Sequence, residues 1–153
     1  MRKLDLQLKL SIFLEEEEEN FKKRKFSLKL ELFKESIICM GDIQLLIRVV
    51  SNLLSNALKY SKPETIVTIR SELKKEDSIS YGVFSVSNVP IEEVSDEELE
   101  RLFDRLYKRD LSRSGQGSGL GLSITKNIVR LHGGKISVHT DQGQLRFTVY
   151  LKQ

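Results

Sequence analysis

Residues 43 to 60, Ile-Gln-Leu-Leu-Ile-Arg-Val-Val-Ser-Asn-Leu-Leu-Ser-Asn-Ala-Leu-Lys-Tyr, carry the clearest single period in this chain. At 100° per residue, Ile43, Leu46, Ile47, Val50, Leu53, Leu54, Ala57 and Leu58 cover one continuous side of a helix. Asn52, Asn56 and Lys59 fall near the opposite side, away from the core, with Tyr60 on its flank. A helix with so broad an apolar side must lie on another layer, which restricts the chain to a layered architecture. Asp42 is placed to cap its start, and Ser61-Lys62-Pro63 stops it.

Strand and helix signals alternate around this helix. Leu4, Leu6 and Leu8 alternate with polar residues as a short strand would, and Leu10, Phe13 and Leu14 begin a helix that Phe21 continues. Phe26, Leu28, Leu30 and Leu32 alternate with Ser, Lys and Glu as a half-buried strand, and residues 37 to 40 form another apolar piece ended by Gly41. Residues 66 to 73 and 81 to 86 read as strands, with 74 to 80 as the polar turn between them. A short helix over 96 to 101, a long polar loop over 104 to 118 and a helix over 120 to 131 follow, the last ended by Gly133-Gly134. Residues 136 to 139 and 145 to 151 make a closing hairpin. The order predicts an α/β sandwich with the helices on one face of the sheet.

The segment Lys108-Arg-Asp-Leu-Ser-Arg-Ser-Gly-Gln-Gly-Ser-Gly-Leu-Gly-Leu-Ser123 runs a polar, basic, glycine-dense loop directly into a helix. A helix N-terminus presents unpaired N–H groups and a partial positive charge, and Gly115, Gly117, Gly119 and Gly121 let a ligand reach main chain without Cβ obstruction. Phosphate is the obvious guest. A Walker loop is excluded because Gly119 and Gly121 are each followed by Leu rather than by Lys-Ser or Lys-Thr. A dinucleotide fingerprint is excluded because the charged stretch Asp110-Leu-Ser-Arg-Ser114, not a hydrophobic strand, precedes the glycines. Leu120, Ile124, Ile128 and Leu131 recur at i, i+4, i+8 and i+11 as a core-facing stripe, into which a flexible linker would not continue.

The polar side of helix 43–60 has two readings. It is either an ordinary solvated face or a ligand face, since interior asparagines cost helix propensity. An asparagine carbonyl is a neutral oxygen ligand suited to Mg²⁺ beside phosphates, and a lysine one turn on is a point charge for the same phosphates. The 153 residues, 39% hydrophobic and 31% charged, suit one soluble globular domain. Twenty-five basic against 22 acidic residues leave a net charge of +3, too balanced to imply a nucleic-acid partner. The acidic run 15–19 and the basic run 22–25 read as the exposed side of one helix. The lone Cys39 sits in an apolar run as a core residue, consistent with a reducing cytoplasm, and no signal peptide or membrane-length apolar segment stands out. His132 and His139 lack the acidic neighbour and helical context of a phosphoacceptor and read as structural.

Four ordered motifs, Asn52-Leu-Leu-Ser-Asn-Ala-Leu-Lys-Tyr-Ser61, Leu102-Phe-Asp-Arg-Leu-Tyr107, Gly117-Ser-Gly-Leu-Gly-Leu122 and His132-Gly-Gly134, resemble the N box, F box and second G box of sensor histidine kinase catalytic domains, followed by their closing hairpin. The resemblance runs over nearly the whole chain. It implies the Bergerat ATP-binding fold shared with gyrase, Hsp90 and MutL: an α+β, two-layer α/β sandwich with a mixed sheet of about five strands and about three helices on one face. It further implies that residues 1–153 are a single catalytic and ATP-binding domain excised from a longer membrane sensor.

Carried over by position, Asn56 stands where the family holds Mg²⁺, and Asn52 where gyrase-type relatives have a water-activating glutamate. Asparagine there suits phosphoryl transfer rather than hydrolysis. Lys59 matches a phosphate-contacting lysine and Tyr60 an aromatic at the edge of the nucleotide pocket, so Asn52, Asn56 and Lys59 form the catalytic set. Lys108, Arg113 and Gln116 lie on the segment resembling the ATP lid, with Gly117, Ser118, Gly119, Leu120 and Gly121 bringing backbone to the phosphates. Phe103 would anchor that lid by packing. The first G box departs from the pattern: the family shows Asp-x-Gly-x-Gly and this chain has Asn88-Val-Pro-Ile-Glu-Glu93. Asn88 offers the adenine amino group a neutral amide oxygen in place of a carboxylate, a difference of about 1 kcal/mol.

The reaction so implied is transfer of the ATP γ-phosphoryl group to a histidine on a separate dimerisation domain, with ATP and Mg²⁺ as cofactors and a response regulator downstream. The fragment alone would be monomeric and would belong to the cytoplasmic side of a cell-membrane sensor. A second reading, motivated by the missing glycines, is a nucleotide-binding or docking module with weak or no kinase activity. An anti-sigma-factor serine kinase of the same superfamily is a third, and a gyrase or Hsp90 type of ATPase fits least because Asn52 replaces the base.

Overall fold

The computed structural model describes residues 1–104 and 121–153. In chain order it contains β1 (Arg2–Asp5), α1 (Leu6–Lys23), β2 (Ser27–Glu31), β3 (Ile38–Gly41), α2 (Ile43–Tyr60), β4 (Ile66–Glu76), β5 (Ile79–Asn88), α3 (Asp96–Arg101), α4 (Gly121–Leu131), β6 (Lys135–Asp141) and β7 (Gln144–Lys152). Five strands form a mixed sheet in the order β2-β4-β5-β7-β6, parallel only between β2 and β4, and β1 pairs antiparallel with β3 in a small second sheet. The fold is the expected α+β sandwich.

Alternation divides the sheet into two faces. Val67 and Ile69 of β4, Phe84 and Val86 of β5, and Leu145, Phe147, Val149 and Leu151 of β7 share the inner face, and all are buried. Onto it pack Leu6, Leu10, Leu14 and Phe21 of α1, seven residues of α2 from Leu46 to Leu58, and Ile128 and Val129 of α4, in one core. Three helices thus cover that face, while the short α3 contributes no buried residue.

α2 begins and ends where its sequence signals stand. Asp42 Oδ1 accepts from the Gln44 and Leu45 amides at 3.0 and 3.3 Å, and Ser61 is the C-cap. Ile43 and Ile47 prove only half-buried and Val49 joins the core instead, a shift of the stripe by a fraction of a turn. α4 lies antiparallel to α2 and is strapped to it at two levels. At one, Asn52 Nδ2 donates to Thr125 Oγ1 at 3.2 Å and to the Gly121 carbonyl at 3.4 Å. At the other, His132 Nε2 accepts from the Asp42 amide at 3.0 Å, so its Nδ1 carries the proton and donates to the Ile128 carbonyl at 2.8 Å. A Cβ on Gly41 would lie 2.8 Å from Leu46 Cδ1 and 3.1 Å from His132 Cδ2, so a side chain at position 41 would force the second strap apart. His132 is structural, as expected; His139 is exposed on β6.

Four expectations need correction. Leu6 and Leu8 are helical rather than extended, because Asp5 caps α1 by accepting from the Leu8 amide at 3.3 Å, and Leu6, Leu10 and Leu14 then fall on one helical face. The turn expected over residues 74–80 contracts to Asp77-Ser78, both with positive φ as a two-residue hairpin requires. Polar residues 74 to 76 stay in strand since Lys135 Nζ bonds Glu76 at 2.9 Å while lying 4.7 Å from the Tyr150 ring centre. That hydrogen bond from Lys135 also holds the Glu76 carboxyl below its ordinary value. Leu131 is 68% exposed, because the chain leaves α4 through Gly133 at φ +68° and Val129 takes the core position instead. Finally, Asn52 and Asn56 are half-buried on the flank of α2 toward α4, not on its solvent side.

Cys39 is buried on β3, and that burial, with the nearby Asp5 charge, pushes its thiol up to about 11. The folded state therefore holds this proton more tightly than the unfolded chain, in which a thiol titrates near ~8.5, so stability is full below that value and falls as pH rises through the folded value. A thermal-melt series from pH 8 to 11 is expected to show a decline that is smaller in Cys39→Ala, and the native thiol should resist alkylation at pH 7.5. Asn52→Ala is expected to cost about 1 kcal/mol and to speed amide exchange in the first turn of α4, whereas His132→Ala costs a similar amount and leaves that turn unchanged. Hydrogen-exchange NMR separates the two.

Candidate functional site

The polar flank of α2 forms the spine of the site. Asn52, Asn56, Lys59 and Tyr60 succeed one another along it, and Asn52 to Tyr60 spans about 12 Å at the helical rise. At the Asn52 end stands the first turn of α4, beginning at Gly121, where, among the described residues, no atom beyond its chain neighbours and its own helix backbone lies within 4 Å of the position a Cβ would take. A helix start offers amides and a positive dipole end to an anion. Thr125, fully buried, returns its own hydroxyl to the Gly121 carbonyl at 2.9 Å, so the turn is held from below by Thr125 and from the side by Asn52.

Both bonds recorded for Asn52 use Nδ2, and its Oδ1 is not engaged by them. Asn56 follows one turn later, half-buried on the same flank, and Lys59 is exposed. At the far end, Ser61 and Pro90 form an antiparallel bridge: the Lys62 amide donates to the Val89 carbonyl at 2.9 Å and the Ile91 amide to the Tyr60 carbonyl at 2.8 Å. This brings the segment after β5 against the end of α2. Asn88, the last residue of β5, keeps the inner-face parity of Phe84 and Val86 and is 2% exposed.

Of the thirteen positions singled out in sequence, six lie among the described residues: Asn52, Asn56, Lys59, Tyr60, Asn88 and Gly121. Five of these belong to or contact α2 along one flank, and Asn88 is brought to the end of that flank by the bridge. Lys108, Arg113, Gln116, Gly117, Ser118, Gly119 and Leu120 lie outside the described residues. Phe103 packs edge-on to Phe147 at 5.9 Å, and the lid it was expected to anchor lies outside the described residues. Among the described residues no group of three or more His, Cys, Asp or Glu could hold a metal ion. A cation here would depend on neutral amide oxygens and on the ligand's own charges.

Two residues of the site were not singled out. Thr125 sits in the run Leu-Ser-Ile-Thr-Lys, where its hydroxyl has no sequence mark separating it from a surface threonine. Ser61 was read as a helix stop and as the end of the motif beginning at Asn52, without a ligand role, yet it is 3% exposed beside the Asn88 segment. Its position directly after Tyr60, at the end of the polar flank, is the signal that could have found it.

The profile of the family described as histidine kinase-, DNA gyrase B-, and HSP90-like ATPase matches residues 41–153. Over 109 residues the chain is 41% identical to a protein of Salmonella typhimurium named "Probable sensor kinase SilS", covering 70% of this chain and 21% of that protein. Over 116 residues it is 42% identical to "Probable sensor protein PcoS" of Escherichia coli, covering 74% and 24%. The chain thus spans between 21% and 24% of the length of these two curated relatives. Among solved structures, the nucleotide-free catalytic domain of the histidine kinase ThkA has the same fold, with a TM-score of 0.82 at 24% identity over 98% of this chain and 93% of that one. The α2 flank, the strapped start of α4 and the five-stranded sheet beneath them are accordingly those of a family member: the chain belongs to the histidine kinase-, DNA gyrase B- and HSP90-like ATPases, in the form that sensor histidine kinases carry.

Proposed function

We propose that residues 1–153 are the single catalytic and ATP-binding domain of a sensor histidine kinase, which binds Mg-ATP along the α2 flank and transfers its γ-phosphoryl group to a histidine on a separate dimerisation domain. The observation that carries this reading is the strap from Asn52 to the first turn of α4, which sets Asn52, Asn56, Lys59 and Tyr60 in line with that turn. A triphosphate laid along that line meets the start of α4 at one end, and its base lies toward the buried Ser61 and Asn88 at the other.

Asn56 suits Mg²⁺, because a neutral oxygen on a half-buried flank asks the metal to take its remaining ligands from phosphates and water. When bound, the ion supplies charge neutralisation on the phosphates. Lys59, exposed and unbranched, reaches the same charges, and Lys108, Arg113 and Gln116 would add donors from the lid segment, with Gly117 to Gly121 contributing main chain. Asn52 lacks the basicity to activate water, so the bound triphosphate is kept for an acceptor other than solvent. That acceptor is not His132, both of whose ring nitrogens are bonded within the fold. The dimerisation domain and a response regulator are then the partners, and the domain would work on the cytoplasmic side of a membrane sensor. Among the described residues no helix is long and apolar enough to cross a membrane.

The absence of both glycines from Asn88-Val-Pro-Ile-Glu-Glu93 favours a second reading, a nucleotide-binding or docking module with weak or no kinase activity. Labelled Mg-ATP added together with the dimerisation domain of a matched sensor kinase is expected to yield acid-labile, histidine-linked phosphate. Binding without transfer selects the second reading, and acid-stable phosphate on serine selects a serine kinase. Asn56→Ala is expected to weaken Mg-ATP by about tenfold while leaving metal-free ATP nearly unchanged, read by calorimetry with and without EDTA.

A further inference from the structure

Among the described residues, two buried side-chain polar atoms have no hydrogen-bond partner, Ser61 Oγ and Asn88 Nδ2. Orphans of this kind are rare in folded proteins and call for an explanation at the place where they occur. They stand on two segments that are bridged to each other. The Ser61–Pro90 bridge, with its bonds from Lys62 to Val89 and from Ile91 to Tyr60, joins the residue after α2 to the strand end that carries Asn88. Both groups border the end of the α2 flank opposite the α4 N-terminus, which in the proposed function is the base end of the nucleotide.

The chemistry of the two groups is reversible in polarity. A serine hydroxyl donates or accepts by rotating its proton, and an amide exchanges its oxygen and its NH₂ by a half-turn about its last torsion. That half-turn swaps atoms of nearly equal size, so close packing around Asn88 does not oppose it. Adenine presents an amino donor at C6 beside an acceptor at N1. Hypoxanthine and guanine present the opposite pair, a carbonyl acceptor at C6 beside an N1–H donor. A carboxylate only accepts, so set opposite the C6 substituent it fits the amino group of adenine and repels the carbonyl of hypoxanthine and guanine. An amide fits both, in its two orientations.

We infer that Asn88 and Ser61 form a purine-edge subsite without fixed polarity, so that this chain accepts 6-oxo as well as 6-amino purine nucleotides. The inference rests on the nucleotide reading above and deepens it. Either edge gives Asn88 Nδ2 the partner it lacks: N1 of adenine in one orientation, O6 of hypoxanthine or guanine in the other. Oδ1 correspondingly accepts from the adenine amino group or from N1–H. Ser61 Oγ adds a bond of either sense, directly or through a water.

The test is parallel calorimetric titration of the chain with Mg-ATP, Mg-ITP and Mg-GTP. ITP is the decisive probe because it reverses the edge without adding the 2-amino group, and any further deficit of GTP reports pocket width. The expected result is an ITP affinity within about fivefold of ATP, whereas a site of fixed polarity rejects the wrong edge by about a hundredfold or more. Asn88→Asp should shift the ratio toward ATP by at least about tenfold, through repulsion of the carbonyl at C6. Ser61→Ala should weaken both nucleotides several-fold without lowering the melting temperature of the unligated protein, since it deletes an unpaired hydroxyl; a purely structural serine would do the reverse. ATP binding with ITP excluded a hundredfold overturns this inference alone and needs no variant to fold. Failure of all three nucleotides to bind overturns the nucleotide reading and this inference with it.

Discussion

The rest of the molecule depends on how α2 is seated. Its seven buried residues, from Leu46 to Leu58, lie on the inner face of the sheet, and each such side chain contributes on the order of 1.5–3 kcal/mol when removed from water. Against this, two interior asparagines cost roughly 0.7 kcal/mol each in helix propensity. Burial wins by a wide margin, so the helix cannot turn about its axis to hide or expose the amides. The orientation of Asn52, Asn56, Lys59 and Tyr60 is therefore set by residues on the other side of the same helix. A site built on such an element holds its geometry before any ligand arrives.

The two ends of the flank are treated differently. At the Asn52 end every recorded polar contact is made within the protein: Asn52 to Thr125 and Gly121, Thr125 to Gly121, and, one helix length away, Asp42 to His132. That end is preorganised, as a place where a highly charged group must be received without rearrangement should be. At the Ser61 end the buried polar atoms are left without partners, at a cost that the core elsewhere offsets. One end of the line is thus rigid and charged in its demands, the other is neutral and underbonded.

What was legible in the sequence follows from which forces are local. Asp42, Ser61 and the bounds of α2, like those of α3, are decided by capping groups and periodicity within a few residues, and these appear where expected. Leu4-Asp-Leu-Gln-Leu8 was ambiguous because three leucines at spacing two also begin a helical i, i+4 series, and Asp5 as a cap decided it. Residues 74 to 76 look like a turn by polarity alone; their strand is upheld by Lys135 and Tyr150, distant in sequence. The same holds for the site. The types Asn, Asn, Lys and Tyr at helical spacing were visible, but the contact of Asn52 with α4 is a tertiary event between helices some seventy residues apart, and Thr125 carries no local mark of it. Solvation was therefore a fair reading of that stripe until the second helix was in place.

The segment 88–91 is fixed by backbone and proline rather than by side-chain bonds. In the bridge between Ser61 and Pro90 the hydrogen bonds run from the flanking residues, Lys62 to Val89 and Ile91 to Tyr60, so the pair itself exchanges none. A proline, having no N–H to give, fits such a position without loss. Pro90 is buried there, and its fixed φ stiffens a stretch that glycines would have left loose. The consequence reaches Asn88 two residues earlier. A segment clamped by two backbone bonds and a proline holds its side chains in place. Asn88 Nδ2 is left without a partner on a segment that cannot shift to supply one, so its only local freedom is the half-turn of its amide.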